Sequence, residues 1–160
     1  FARNPQDDAA FYYFILTIHA KHGAFEALRL LSERTASFTS DPDTIEQADL
    51  WLQQARLLGS FRDFDAAEAC VARVERRFPQ HPWMWTEKSG LLREQDRYEE
   101  SLAAAREATR LRPWYRPAVQ AQVHLLQLLN RDDEALALLE ESRTRLQCGS
   151  LVQTLVDRVR

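Results

Sequence analysis

His19, His22 and Glu26 stand at i, i+3 and i+7. On an unbroken helix that spacing would aim two imidazoles and a carboxylate at one metal ion. Gly23 falls between them, and glycine tolerates the dihedrals that end a helix. No further ligand is close in sequence, so the triplet reads as a helix end and no metal is expected. Cys148 lies far from every histidine along the chain, with nothing beside it to favour a thiolate nucleophile. Cys70 sits in an Ala-rich stretch, AAEACVARV, where a small apolar residue would simply pack. The two cysteines have no CxxC spacing and suggest no disulfide framework. His81 lies in a turn between Pro79 and Pro82. A glycine-rich phosphate loop, a GxSxG elbow and an HExxH pair are all missing. Asp132-Asp133-Glu134 and Glu99-Glu100 read as first turns of helices, where the dipole favours negative charge. No catalytic residue, metal or cofactor is therefore expected.

Composition narrows the classes further. The chain has 160 residues, is 45% hydrophobic and carries a formal net charge of −3 with both signs interspersed. That is enough apolar content for one compact or solenoidal domain. Mild acidity gives no electrostatic case for nucleic acid. No apolar run approaches the roughly 20 residues that span a bilayer, so no membrane is expected. Lys21 and Lys88 are the only lysines among many arginines. With abundant Ala and Leu, that bias hints at a GC-rich bacterial genome, and a cytoplasmic setting is expected.

What positions side chains here is a repeat. Leu57-Leu58, Leu91-Leu92 and Leu125-Leu126 return every 34 residues. Trp51 is followed at the same step by Trp85 and Val119, Phe64 by Tyr98 and Asp132, Ala67 by Ser101 and Ala135, and Pro79 by Pro113. A period shared by unrelated residue types marks one supersecondary unit repeated.

Each unit reads as two helices. Phe11, Phe14, Ile15 and Ile18 form the stripe of a first helix, capped by Asp7 or Asp8 and stopped near Lys21 by Gly23. A second helix is predicted from about Ala24 to Thr35, then a loop over 36–43. Asp43 with Glu46 predicts a capping box for a helix over 44–58 that ends at Gly59-Ser60. Helices follow over 64–78 and, from Pro82, to about Glu94. Asp96 with Glu99 predicts another capping box, and the helix it opens ends before Pro113. Pro117 opens a helix to about Leu129; Asn130 and Asp133 cap one to about Leu146. Ser150 would cap a ninth segment. Strict alternation of the strand kind is absent.

A 34-residue helix-turn-helix unit with an early aromatic resembles the tetratricopeptide repeat, TPR. Trp51 and Trp85 match its early tryptophan, Phe64 and Tyr98 its turn aromatic, Ala67 and Ala135 its small residue at the helix crossing, Ala108 its later alanine, and Pro79 and Pro113 its closing proline. Ala55, Ser89 and Val123 replace its first-helix glycine, and Val119, Asp132 and Gln147 depart from the motif in the third unit. The resemblance implies an all-α helical-hairpin solenoid with a right-handed superhelical course. It would be a single array over 1–160: a degenerate repeat at 8–36, repeats at 48–81, 82–115 and 116–149, and a capping or docking helix at 150–160. Phe25 to Phe64 is 39 residues, which places about five extra residues in the 36–43 loop.

In that family the first helices line a concave face. The positions left facing inward here are Tyr13, Leu52, Arg56, Trp83, Thr86, Arg93, Gln120, His124 and Gln127. Amides, Arg and His address a peptide backbone or acidic side chains, while Trp and Tyr offer flat apolar area. Trp114-Tyr115, in a turn between repeats, reads as inter-repeat packing or as an edge anchor. The resemblance thus implies a non-catalytic scaffold or adaptor holding a peptide or partner protein. Chaperone-tail receptors of this kind need several cations and Asn at two of these places; only Arg56 is cationic among them, so that subtype is disfavoured. The chain opens on Phe1 rather than Met. The second expectation is accordingly a substrate-recruiting or regulatory array of a larger enzyme whose catalytic domain lies elsewhere. Leu151, Leu155 and Val159 give the terminal segment an apolar face through which copies of the chain could associate.

Overall fold

The computed structural model describes residues 7–38 and 40–146. Among them the regular structure is helical: α1 (Asp8–His22), α2 (Ala24–Ala36), α3 (Ile45–Ser60), α4 (Phe64–Arg77), α5 (Pro82–Glu94), α6 (Tyr98–Leu111), α7 (Arg116–Leu128) and α8 (Asp132–Leu146). They pack as four consecutive hairpins, α1/α2, α3/α4, α5/α6 and α7/α8. The predicted ninth segment and Cys148 lie outside the described residues. The chain divides into two compact units at Pro79 and Gln80.

In the first unit α3 is the central helix and packs on α1, α2 and α4. Phe11, Ile15, Ala27, Leu31, Leu50 and Leu57 form its core, with Phe14, Ile18 and Leu28 against them. Arg34 ties the start of α1 to the end of α2. Its Nε donates to Asp8 Oδ1 at 3.0 Å, and its guanidinium lies 5.7 Å from the Phe11 ring centre and 5.6 Å from that of Phe38. In the second unit α7 packs on α5, α6 and α8. Leu102, Ala105, Val123, Leu125, Leu126, Ala135 and Leu139 form the core there.

The Leu-Leu beat has a backbone meaning. In the last three hairpins the first helix ends on the same double hydrogen bond. Asp63, Arg97 and Arg131 donate their N–H to the carbonyls of Leu58, Leu92 and Leu126, at 3.0, 3.0 and 2.8 Å. Arg62, Asp96 and Asn130 donate to Gly59, Arg93 and Gln127, at 2.8, 3.0 and 3.0 Å. Together these satisfy carbonyls that a helix end leaves orphaned, and they require one residue with positive φ. Arg62, Asp96 and Asn130 supply it, at φ 62°, 61° and 57°. Asp and Asn tolerate that region better than most residues.

Three predicted helix ends move accordingly. Gly59 and Ser60 belong to α3 rather than stopping it. Asp96 and Asn130 close α5 and α7 instead of opening the next helices: the N-cap of α6 is Arg97, and Asp96 Oδ1 accepts from the Tyr98 hydroxyl at 2.7 Å. The cap of α3 falls one residue later than predicted. Thr44 Oγ1 accepts from Gln47 N–H at 3.2 Å, while Gln47 Oε1 accepts from Asp43 N–H at 3.1 Å. The first hairpin turn is different in kind, with Gly23 alone between α1 and α2 at φ 89°.

Small residues meet where the paired helices cross. Ala55 and Ala67 are buried in the first unit. In the second, Ser89 and Ser101 take those places and hydrogen-bond: Ser101 Oγ donates to the Ser89 carbonyl at 2.6 Å and lies 3.0 Å from Ser89 Oγ. Ser89 Oγ is then the donor between the two hydroxyls. Val123 and Ala135 share one core cluster.

Asp41 and Pro42, ahead of α3, are fastened to the fold. Pro42 is fully buried. Asp41 accepts from Arg76 Nε at 3.0 Å and Nη2 at 2.9 Å, and from Arg73 Nη1 at 3.4 Å. The Arg76 hydrogen bond, with further help from Arg73, holds the Asp41 carboxyl below its ordinary value of 3.8. A carboxylate with a depressed folded pKa stabilises the fold above its ordinary pKa, and that contribution is lost as pH falls through the folded value. Acidification should therefore release the loop. Trp51 reports on it, because Phe38 lies 6.4 Å from its ring and Arg73 Cζ 5.1 Å. The expected result is an acid-induced change in tryptophan emission that Asp41→Asn shows already at neutral pH. Identical acid titrations of the two proteins would refute the loop's dependence on Asp41.

Candidate functional site

The first helices of each unit lie side by side, α1 with α3 and α5 with α7. On α7, Gln120 and His124 are exposed and Gln127 is half-buried, while Val119, Gln122, Val123 and Leu126 are buried. The outward residues fall on one stripe at 4 and 3 spacing, as a helix with one solvent face requires. On α5, Trp83, Thr86 and Arg93 are half-buried and share another stripe. Trp83 is held in place: its Nε1 donates to Glu87 Oε1 at 2.7 Å, and its ring stands edge-on to His81 with centres 6.3 Å apart. Thr86 Oγ1 donates to the Pro82 carbonyl at 3.1 Å. Six of the nine predicted binding residues thus belong to two adjacent helices of the second unit.

In the first unit Tyr13 is 69% exposed and Arg56 is exposed. Leu52 is not available to a partner. It is 0% exposed, inside a helix where Ala48, Leu50, Trp51, Gln53, Gln54, Ala55 and Leu57 are buried too. The residue pattern of α3 predicts one solvent-facing side, yet the helix is enclosed by α1, α2 and α4. Between Leu50 and Leu57 only Arg56 reaches the surface.

Cys70 is buried, and burial pushes its thiol up to about 11, far from a reactive thiolate. Among the described residues no cluster of three or more His, Cys, Asp or Glu could hold a metal ion. His19 is half-buried and His22 exposed at the last turn of α1. Much of the surface charge is paired along or between helices. Arg97 binds Glu100, Arg110 binds Glu107, and Arg131 with Arg106 holds Glu134; each lowers its partner's carboxyl pKa.

Sequence reasoning missed one concavity. Where α6, α7 and α8 of the second unit meet there is an open cleft of about 260 Å³. Trp114, in the turn before α7, lines it together with Gln122, Thr109 and Glu141. Its place in a turn between repeats brings Trp114 to notice, as inter-repeat packing or as an edge anchor. It does not show the cleft, which arises from the packing of three helices.

The hairpin order, the Leu-closed turns of the last three hairpins and the small residues at the α3/α4 and α5/α6 crossings describe one architecture. The fold is that of tetratricopeptide-repeat proteins. A thermophilic TPR protein of Thermus thermophilus, TTC0263, matches with a TM-score of 0.73 at 16% identity, over 96% of this chain and 80% of that one. MamA AMB-1 matches with a TM-score of 0.58 at 19% identity, over 86% and 73%. A MamA RS-1 double mutant matches with a TM-score of 0.64 at 14% identity, over 98% and 94%. No family model and no curated protein matches the sequence. None of the described helices is long and apolar enough to cross a membrane.

Proposed function

We propose that this TPR-fold chain is a non-catalytic binding module that holds a peptide or partner protein on its first helices. The observation that carries the reading is the polar stripe of α7, Gln120, His124 and Gln127, beside the Trp83, Thr86 and Arg93 stripe of α5. The buried positions of these helices already serve stacking, so recognition falls to the residues that vary between repeats. Trp83 is pre-oriented by Glu87, which lowers the entropy lost when an aromatic anchors a partner. Tyr13 and Arg56 offer an aromatic and a cation in the first unit.

Affinity capture with the whole chain tests this. Gln120→Ala with His124→Ala changes two exposed residues and should leave the melting curve in place. Capture of a specific partner should fall by about tenfold, the effect of losing roughly 1.4 kcal/mol. Tyr13→Ala with Arg56→Ala applies the same test to the first unit. Unchanged recovery with both pairs would place binding off the first helices and refute the proposal.

A further inference from the structure

Val119, Gln122 and Glu141, on the wall of the cleft at α6, α7 and α8, share one register. Each stands two 34-residue periods after a residue of the first unit: Trp51, Gln54 and Arg73. There the Trp51 ring fills the place. It is 9% exposed, with Arg73 Cζ 5.1 Å from its centre and the Phe38 ring centre 6.4 Å away. One period on, Trp85 holds the position. The cleft is thus the tryptophan seat of the third repeat, opened because valine stands where the two preceding repeats carry an indole. Val119 and Gln122 are buried where Gln120 and His124 are exposed, so this surface is separate from the first-helix stripe and does not depend on the groove reading.

Two observations say what the seat takes. The first is size. The cleft measures about 260 Å³, with Val119 and Leu138 as apolar walls. Pockets that enclose a whole small molecule run to roughly 300–1,000 Å³, so this one suits a single large side chain. The second is an acceptor. Gln122 is 6% exposed. Its Nε2 lies 3.2 Å from the Ala105 carbonyl and 2.9 Å from Thr109 Oγ1. A carbonyl only accepts, so the nitrogen is the atom held there. Thr109 donates its own proton to the Arg106 carbonyl at 2.9 Å. Gln122 Oε1 therefore keeps no hydrogen-bond partner among the described residues. Gln54, at the equivalent place in the first unit, is satisfied at both ends: Oε1 accepts from Thr35 Oγ1 and Nε2 donates to Ser32 Oγ. An acceptor left unmatched on so buried a side chain favours a ligand that brings a donor.

We propose that this seat receives the tryptophan side chain of a partner polypeptide. The ring takes the place that Trp51 takes in its own repeat, against Val119 and Leu138, and its N–H donates to Gln122 Oε1. Tryptophan joins a large apolar area to a single donor and no charge. Phenylalanine and leucine bring no donor.

The test uses the full isotope-labelled chain and three capped tripeptides, Gly-X-Gly, with X tryptophan, 1-methyltryptophan or alanine. The tryptophan peptide should move the Val119 and Leu138 methyl and Gln122 side-chain amide resonances saturably. 1-Methyltryptophan keeps the ring without the N–H and should bind roughly tenfold more weakly. The alanine peptide should not bind measurably. Val119→Trp supplies the indole from within. It should shift the Leu138 and Gln122 resonances with no peptide present and abolish binding. Leu138→Phe narrows the slot from α8 and should weaken binding about tenfold, which serves if Val119→Trp does not fold. Any of three results overturns the proposal: no saturable shift at Val119, Gln122 and Leu138, equal binding of the 1-methyltryptophan or alanine peptide, or wild-type affinity in a folded Val119→Trp or Leu138→Phe chain.

Discussion

Trp51→Ala should destabilise the first unit by about 3–5 kcal/mol, the range for truncating a buried large aromatic. Trp51 is 9% exposed, with Phe38 and Arg73 against its ring. Trp85 holds the same place one repeat later, but it is half-buried, with Lys88 Nζ 4.8 Å from its ring centre. Trp85→Ala should therefore cost distinctly less, because fewer packed neighbours lose contact. Urea unfolding of both variants decides the matter. Equal losses would mean that exposure does not govern the role of this position, and an unchanged midpoint for Trp51→Ala would remove it from the core. Trp51→Phe is a useful intermediate. The indole N–H is buried without a hydrogen bond among the described residues, so the phenyl ring gives up volume yet removes an orphaned donor.

The opposite sign is expected at Gln53. Its side chain is 0% exposed, and neither Nε2 nor Oε1 has a partner among the described residues. Leu50, Gln53 and Leu57 share one stripe of α3, and both leucines belong to the core with α1 and α2. An amide buried without hydrogen bonds is destabilising by about 1–3 kcal/mol on mutational scales. Gln53→Met keeps the length and flexibility of the side chain and removes both polar atoms. It should raise the unfolding free energy by an amount in that range, seen as a higher urea midpoint at an unchanged slope. A loss of more than about 1 kcal/mol would instead show that the amide is satisfied in solution. Gln54, next to it, is the contrast: Oε1 accepts from Thr35 Oγ1 at 2.7 Å and Nε2 donates to Ser32 Oγ at 3.2 Å. Removing that amide leaves partners unpaired, so the same substitution there has no reason to stabilise.

The hairpin order was legible because several independent signals coincide at each helix end. Pro82 opens α5, and Pro79 and Pro113 follow α4 and α6. The failures are local and share a cause. Asp and Asn favour both the N-cap and the positive-φ position that closes the preceding helix. At Asp96 and Asn130 the closing role wins, because the Leu92 and Leu126 carbonyls need the turn. The site was less legible than the fold. Tyr13, Gln120 and His124 were picked out by the resemblance, and all three are exposed. Leu52 could not be excluded, since periodicity does not reveal how many neighbours surround a helix. Gln122 gave no signal at all: a glutamine in an otherwise apolar stripe looks like noise until its amide is seen bound to Ala105 and Thr109.

The repeated turn has a consequence for how such a chain can vary in length. Asp63 donates its N–H to the Leu58 carbonyl at the end of α3 and caps α4 through its carboxylate, which accepts from Ala66 N–H at 3.3 Å. One residue serves as both the final bracket of one helix and the opening bracket of the next. An insertion or deletion there breaks two terminations at once. Among the described residues between hairpins no such double duty exists, and a few residues can be accommodated if a salt link or a buried proline anchors them. The spacing of Phe25 and Phe64 assigns the extra residues to the 36–43 loop, within which Asp41 is held by Arg76 and Pro42 is buried. Insertions and deletions should accordingly be tolerated between one hairpin and the next, and selected against within a hairpin.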